Sequence, residues 1–115
     1  MDKYEKLVEK IIQFNKDRDW DQFHSPENLA KSISIEAGEL LECFQWDDDF
    51  DINDVTDEMA DVFAYLINMA DRLNVDLIDI TDKKIDKNDV KKLKADAALE
   101  IWNNTNPVTK NQIGR

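Results

Sequence analysis

Two pairs of acids, each set three residues apart, are the part of this sequence that could do chemistry. They are Glu36 and Glu39 in Ile35-Glu36-Ala37-Gly38-Glu39-Leu40, and Glu58 and Asp61 in Asp57-Glu58-Met59-Ala60-Asp61-Val62. On a helix, residues at this spacing have Cβ atoms about 5–6 Å apart, so each pair can serve one cluster. Carboxylates held close at the margin of a core repel one another, and a divalent cation is the simplest compensator. Mg²⁺ suits an all-oxygen donor set and leaves positions open for phosphates. No His follows either Glu of the first pair, or Glu58, at the third residue, which argues against a di-iron bundle site built on Glu-x-x-His. Acid pairs at this spacing also occur on solvated helix faces, so the residues alone leave two readings, a metal cluster and a charged surface.

A third reading comes from Asp47, Asp49, Asp51, Asn53, Val55 and Glu58, which occupy positions 1, 3, 5, 7, 9 and 12 of an EF-hand-like Ca²⁺ loop. Position 6 is Ile52 where the sharp turn needs Gly, and position 8 is Asp54 where such loops usually carry an aliphatic side chain. A non-catalytic helical interaction protein is the remaining alternative.

The acids need rigid elements to carry them, and the pattern supplies helices. Two glycines and two prolines punctuate the chain, and no strand-like alternation is sustained, so the spacing predicts an all-α fold of four helices. The first helix is expected from about Asp2 to Arg18, with Tyr4, Leu7, Val8, Ile11, Ile12 and Phe14 as its apolar stripe. A loop should span Asp17–His24. Ser25-Pro26-Glu27 then opens a second helix with a hydroxyl cap, a proline at the first position and an acid at the positive end of the dipole. That helix is expected to reach Trp46. A third should run from about Asp54 to Leu73, and a fourth should begin near Leu77 after the break at Asn74-Val75-Asp76. On a helical wheel Glu58, Asp61, Tyr65, Asn68 and Arg72 share an arc of about 80° beside the apolar face of the third helix. Glu36, Glu39 and Trp46 lie on a similar edge of the second, and the two acidic edges can face each other. The domain is expected to be 1–88, with 89–115 a C-terminal segment containing a short helix over Leu93–Trp102 and a tail.

The bulk numbers bound the partners. A length of 115 residues allows one domain. Its formal charge of −11 argues against a nucleic-acid polymer, which is bound by displacing counterions with Lys and Arg. Cations bridging carboxylates to phosphates would still admit a small nucleotide. No apolar run approaches the roughly 20 residues that span a bilayer, and the N-terminus has no secretory pattern, so no membrane association and a cytoplasmic location are expected. The single Cys43 excludes an internal disulfide, and it is expected to be a small buried apolar residue. Gly38 weakens its helix by about 1 kcal/mol relative to Ala and is expected to let another helix approach closely.

The two acid motifs resemble the Glu-x-x-Glu and Glu-x-x-Asp signature of the MazG-like, all-α nucleoside triphosphate pyrophosphohydrolases. The flanking residues, Arg18 to Ala30 and Phe44-Gln45-Trp46, are similar to the dCTP pyrophosphatase branch, and the similarity covers roughly Phe14 to Asn88. The resemblance implies a four-helix bundle, assembled as a homodimer or homotetramer, that hydrolyses a nucleoside triphosphate between its α- and β-phosphates. It implies that Glu36, Glu39, Glu58 and Asp61 hold Mg²⁺, with Mn²⁺ as a substitute, and that Glu39 also orients or deprotonates the attacking water. Residues matching Trp20, Trp46 and Tyr65 form the base and sugar pocket in that branch, and His24 lies in the same loop as Trp20. Those matching Lys84 and Asn88 are expected near the phosphates. A deoxycytidine triphosphate is the first expectation for the substrate, in nucleotide-pool house-cleaning. Downstream the branch continues with a basic residue and Tyr-Pro, where this chain has Asp89-Val90-Lys91-Lys92-Leu93.

Overall fold

The computed structural model describes residues 1–46 and 48–105, and every regular element among them is helical. There are four α-helices: α1 (Lys3–Asp17), α2 (Pro26–Glu42), α3 (Ile52–Leu73) and α4 (Leu77–Thr105), with a short 3₁₀ turn at Asp21–Phe23. None is long and apolar enough to cross a membrane.

Side-chain caps set the starts. Asp2 accepts from the Glu5 N–H at 2.8 Å, Ser25 accepts from the Asn28 N–H at 3.1 Å, and Asp51 accepts from the Asn53 N–H at 2.8 Å. Each satisfies one of the backbone donors that a helix leaves unpaired at its N-terminus. The end of α3 is set by Asn74, which adopts the left-handed conformation (φ 54°, ψ 46°) while the Val75 N–H bonds back to the Ala70 carbonyl. Asparagine tolerates that conformation better than most residues.

Three boundaries differ from the sequence reading. The second helix stops at Glu42, short of Trp46, because the N–H groups of Cys43, Phe44 and Gln45 bond to carbonyls three residues back and tighten the chain into turns. The third starts two residues before Asp54, since Asp51 takes the cap. The fourth helix runs on past Asn88, and the segment from Leu93 to Trp102, expected as a separate short helix, is the continuation of α4. Its apolar positions shift phase midway. A stripe of Ile78, Thr81 and Ile85 gives way to one of Val90, Leu93, Ala97 and Ile101, rotated by roughly a third of a turn at 100° per residue. Such a shift reads as an interruption, yet no Gly or Pro interrupts the stretch and its Lys, Ala and Leu residues favour helix. Residues from Asn106, where the tail was expected, lie outside the described ones.

The described residues fall into two units, 1–77 and 78–105. In the first, α3 packs against both α2 and α1. Its buried apolar residues are Leu29 from α2 and Val55, Ile67 and Ala70 from α3. Two buried polar residues join them, Asn15 and Asn68, 5% and 8% exposed. The described part of the second unit is α4 from Ile78 onward, and α4 has no buried residue.

Candidate metal centre

The packing of α2 on α3 brings acids from both helices together. Glu36, Glu58 and Asp61 each offer a carboxylate oxygen, and these oxygens all lie within 4.8 Å of one another. Glu36 and Glu58 are half-buried, Asp61 is exposed, and Glu39 is exposed one turn after Glu36. Glu39 stands outside the trio but within hydrogen-bond reach of Glu36 and Glu58.

Crowding changes the proton affinity of the group. Glu36 is pushed from the ordinary 4.5 up to about 7, first by loss of hydration and then by hydrogen bonds shared with Glu39 and Glu58 and by the charges of Glu39 and Asp61. Glu58 is also raised, again chiefly by desolvation, although a hydrogen bond from Glu36 acts in the opposite sense. With both carboxylates ionised, Glu36 Oε2 and Glu58 Oε2 are sealed from solvent and have no donor. A proton on Glu36 relieves part of that penalty, and a divalent cation facing the oxygens relieves more. An all-oxygen set of clustered carboxylates fits a hard cation such as Mg²⁺.

Two clefts flank the cluster. One, of about 400 Å³, is lined by Glu39, Cys43, Trp46 and Glu58 among others. Trp46 is 87% exposed, so it does not serve as a core residue within this chain. Cys43 is half-buried, and its thiol pKa is raised by desolvation and by the charges of Glu58 and Asp54. The other cleft, of about 360 Å³, lies between α1 and α3 and includes Phe14, Asp61 and Phe63 in its lining. Phe14 meets Trp20 edge to face at 5.4 Å, and the Arg18 guanidinium stacks 3.4 Å over the Phe14 ring. Trp20 is 42% exposed. His24 closes the 3₁₀ turn and is half-buried, its pKa lowered from 6.5 mainly by desolvation and then by the Arg72 charge, against a smaller pull from Asp21. Tyr65 is half-buried on α3, one turn after Asp61. Lys84 and Asn88 are exposed on α4, in the other unit.

The EF-hand reading is not what these residues build. Asn53, Val55 and Glu58 are inside α3, and the Asp51 carboxylate caps that helix. Asp47, the first position of that loop, lies outside the described residues. Gly38 likewise departs from expectation, since a Cβ added there would meet nothing within 4 Å among the described residues.

Sequence reasoning assigned no role to Asn15. The Asn15 side chain donates to Asn68 Oδ1 at 2.6 Å, joining α1 to α3, and Arg72 Nη2 donates to the Asp21 carbonyl. One signal was present. Asn15 continues the stripe of Val8 and Ile11 at helical spacing, and a polar residue on a core-facing stripe needs a buried partner.

The MazG-like family model matches residues 31–105. Among curated proteins, the dCTP pyrophosphatase 1 of Mus musculus is 37% identical over 86 residues, covering 66% of this chain and 51% of that protein. The human dCTP pyrophosphatase 1 is 39% identical over 75 residues, 56% of this chain and 44% of that one. The chain thus spans about half the length of the curated relatives it matches. Among solved structures, a pyrophosphatase from Archaeoglobus fulgidus is similar with a TM-score of 0.71 and 34% sequence identity, over 79% of this chain and 93% of that one.

Proposed function

Because the chain belongs to the MazG-like family, we propose that it is a Mg²⁺-dependent nucleoside triphosphate pyrophosphohydrolase with 1–88 as its catalytic part, converting dCTP or a related deoxynucleotide to the monophosphate and pyrophosphate. The observation that carries the reading is the convergence of Glu36, Glu58 and Asp61 from two helices, with two sealed carboxylate oxygens that lack a donor. Solvated surface acids would not sacrifice hydration in this way. The names of the curated relatives and of the archaeal structure support the same reaction class.

In this proposal Glu36, Glu58 and Asp61 hold the cation, joined by Glu39. Bound there, Mg²⁺ or Mn²⁺ supplies charge neutralisation at the phosphate oxygens and lowers the pKa of water. Glu39 remains exposed beside the trio, free to accept a proton from water attacking phosphorus in line with the departing pyrophosphate. No protein nucleophile is required. Trp20 and Trp46 present aromatic area for the base, Tyr65 sits between the acids and the Trp20 turn along α3, and His24 is kept neutral enough to hydrogen-bond without adding charge. Lys84 and Asn88 are assigned to the phosphates. Stacking on aromatic faces tolerates any base, so preference for dCTP rests on the relatives. The role is removal of unwanted nucleotides from a cytoplasmic pool, by a homodimer or homotetramer.

Incubation with each common NTP and dNTP plus Mg²⁺, with products separated by ion exchange, tests this directly. Monophosphate and pyrophosphate, abolished by Glu36→Gln, are expected. Glu39→Gln should lower kcat by about 10²–10⁴, the usual worth of a general base. Diphosphate and phosphate as products would reject the reaction, and full turnover by Glu39→Gln would reject the role of that residue.

A further inference from the structure

The polar stripe of α3 carries more than candidate ligands. After Glu58, Asp61 and Tyr65 it continues with Asn68 and Arg72, about 10 and 16 Å beyond Asp61 along the helix axis at 1.5 Å per residue. Both residues are engaged with the segment that leads from α1 to the Trp20 turn. Asn68 accepts from Asn15 in a buried contact, and the Asn15 carbonyl in turn accepts from the Trp20 N–H at 2.9 Å. Arg72 donates to the carbonyl of Asp21, which also accepts from the His24 N–H at 3.2 Å. The turn therefore hangs from α3 at two points, one on each side of Trp20.

We propose that Asn68 and Arg72 are positioning residues, fixing the Trp20–His24 turn in register with the acids carried by the same helix. The proposal rests on the nucleotide reading above. Its physical content is preorganisation. A loop held by its neighbours need not lose conformational freedom when a ligand arrives, and one left to fluctuate must. The surroundings fit this account. Asp19, just before the turn, has a positive φ of 54°, a conformation that Asp tolerates better than most residues. Asn28 Nδ2 adds a tie from α2 by donating to the Phe23 carbonyl at 3.1 Å. Of the two positioning residues on α3, Arg72 is exposed and is the one whose removal leaves the buried Asn15–Asn68 pair intact.

Arg72→Met and Arg72→Lys, prepared in the full chain, test it with three readouts. These are KM and kcat for dCTP with Mg²⁺, calorimetric affinity for a non-hydrolysable α,β-imido analogue of dCTP, and Mn²⁺ affinity without nucleotide. Loss of a charge-assisted hydrogen bond should raise KM and weaken the analogue by about tenfold or more in Arg72→Met, with kcat within about twofold. Mn²⁺ affinity should stay level, and Arg72→Lys, which keeps a donor, should recover most of the loss. Unchanged analogue affinity in Arg72→Met overturns the proposal, as does a parallel fall in Mn²⁺ affinity, which would locate the effect in the fold or the cluster. Binding of the analogue without hydrolysis of dCTP by the unmodified protein would reject the pyrophosphohydrolase reading alone, the positioning role then being decided on binding. If the unmodified protein does not bind the analogue, both fall.

Discussion

Glu36 is where proton and cation compete. In the metal-free protein its pKa stands at about 7 against 4.5 ordinarily, so between those values the folded chain holds a proton that the unfolded chain has released. By linkage, the stability this contributes is complete below about 4.5 and is lost as pH rises through about 7. Glu58, also raised, acts with the same sign. Thermal melts in EDTA should therefore show a Tm that falls between pH 5 and about 8, and Mg²⁺ should flatten the slope by taking the proton's place. Glu36→Gln should remove most of the slope, and its persistence in that variant would show that Glu36 is not the titrating group. Cation affinity should weaken by up to about tenfold per pH unit below 7, the limit for one displaced proton. The acids were legible in the sequence because their spacing and their position beside an apolar face are both periodic properties. The pairing in the Asn15–Asn68 and Arg72–Asp21 contacts was not, because periodicity places a residue on a face of its own helix and does not say which residue more than fifty positions away it will bond.

The starts of α1 and α2 could be read from single residues, since one side chain closes each of these caps: Ser25 before Pro26 is the clearest case. Ends were harder. The close of α2 depends on three successive backbone bonds that reach back three residues after Glu42, and any residue with a free N–H can make them. The end of α4 could not be read because amphipathic phase, the main signal for a helix, changes halfway while the backbone does not. Gly38 belongs to this scale as well. It sits inside α2 with open space where a side chain would go, so Gly38→Ala should stabilise the folded chain by about 1 kcal/mol through helix propensity alone. Denaturant unfolding in EDTA measures that without interference from the metal. A loss of stability instead would mean that a helix of another molecule rests against this glycine, since the added Cβ would meet nothing within 4 Å among the described residues of this chain.

The described residues bury few apolar side chains for their number. Only Leu29, Val55, Ile67 and Ala70 are buried apolar residues among those described, while Ile52, Met59 and Phe63 of α3 and Ile35 and Leu41 of α2 are exposed. On α3 the exposed three recur at intervals of seven and four and so form one stripe; on α2, Ile35 and Leu41 flank Gly38. Apolar side chains aligned in this way, and not scattered singly, mark surfaces that another protein covers. A second copy is the economical occupant, because a two-fold axis lets one patch serve both partners. The expectation from family resemblance, a homodimer or homotetramer, thus gains a physical motive in the exposed stripe. Light scattering coupled to size exclusion should give a mass of two or four chains at micromolar concentration. Leu41→Lys or Phe63→Lys, neither of them a proposed ligand, should shift the population toward monomer and make Tm depend on protein concentration, as mass action requires when association stabilises the fold. A unit mass for the unmodified protein at every concentration would remove the assembly, and the exposed stripe would then have to be covered within the chain or left in water at a cost its small core is poorly placed to offset.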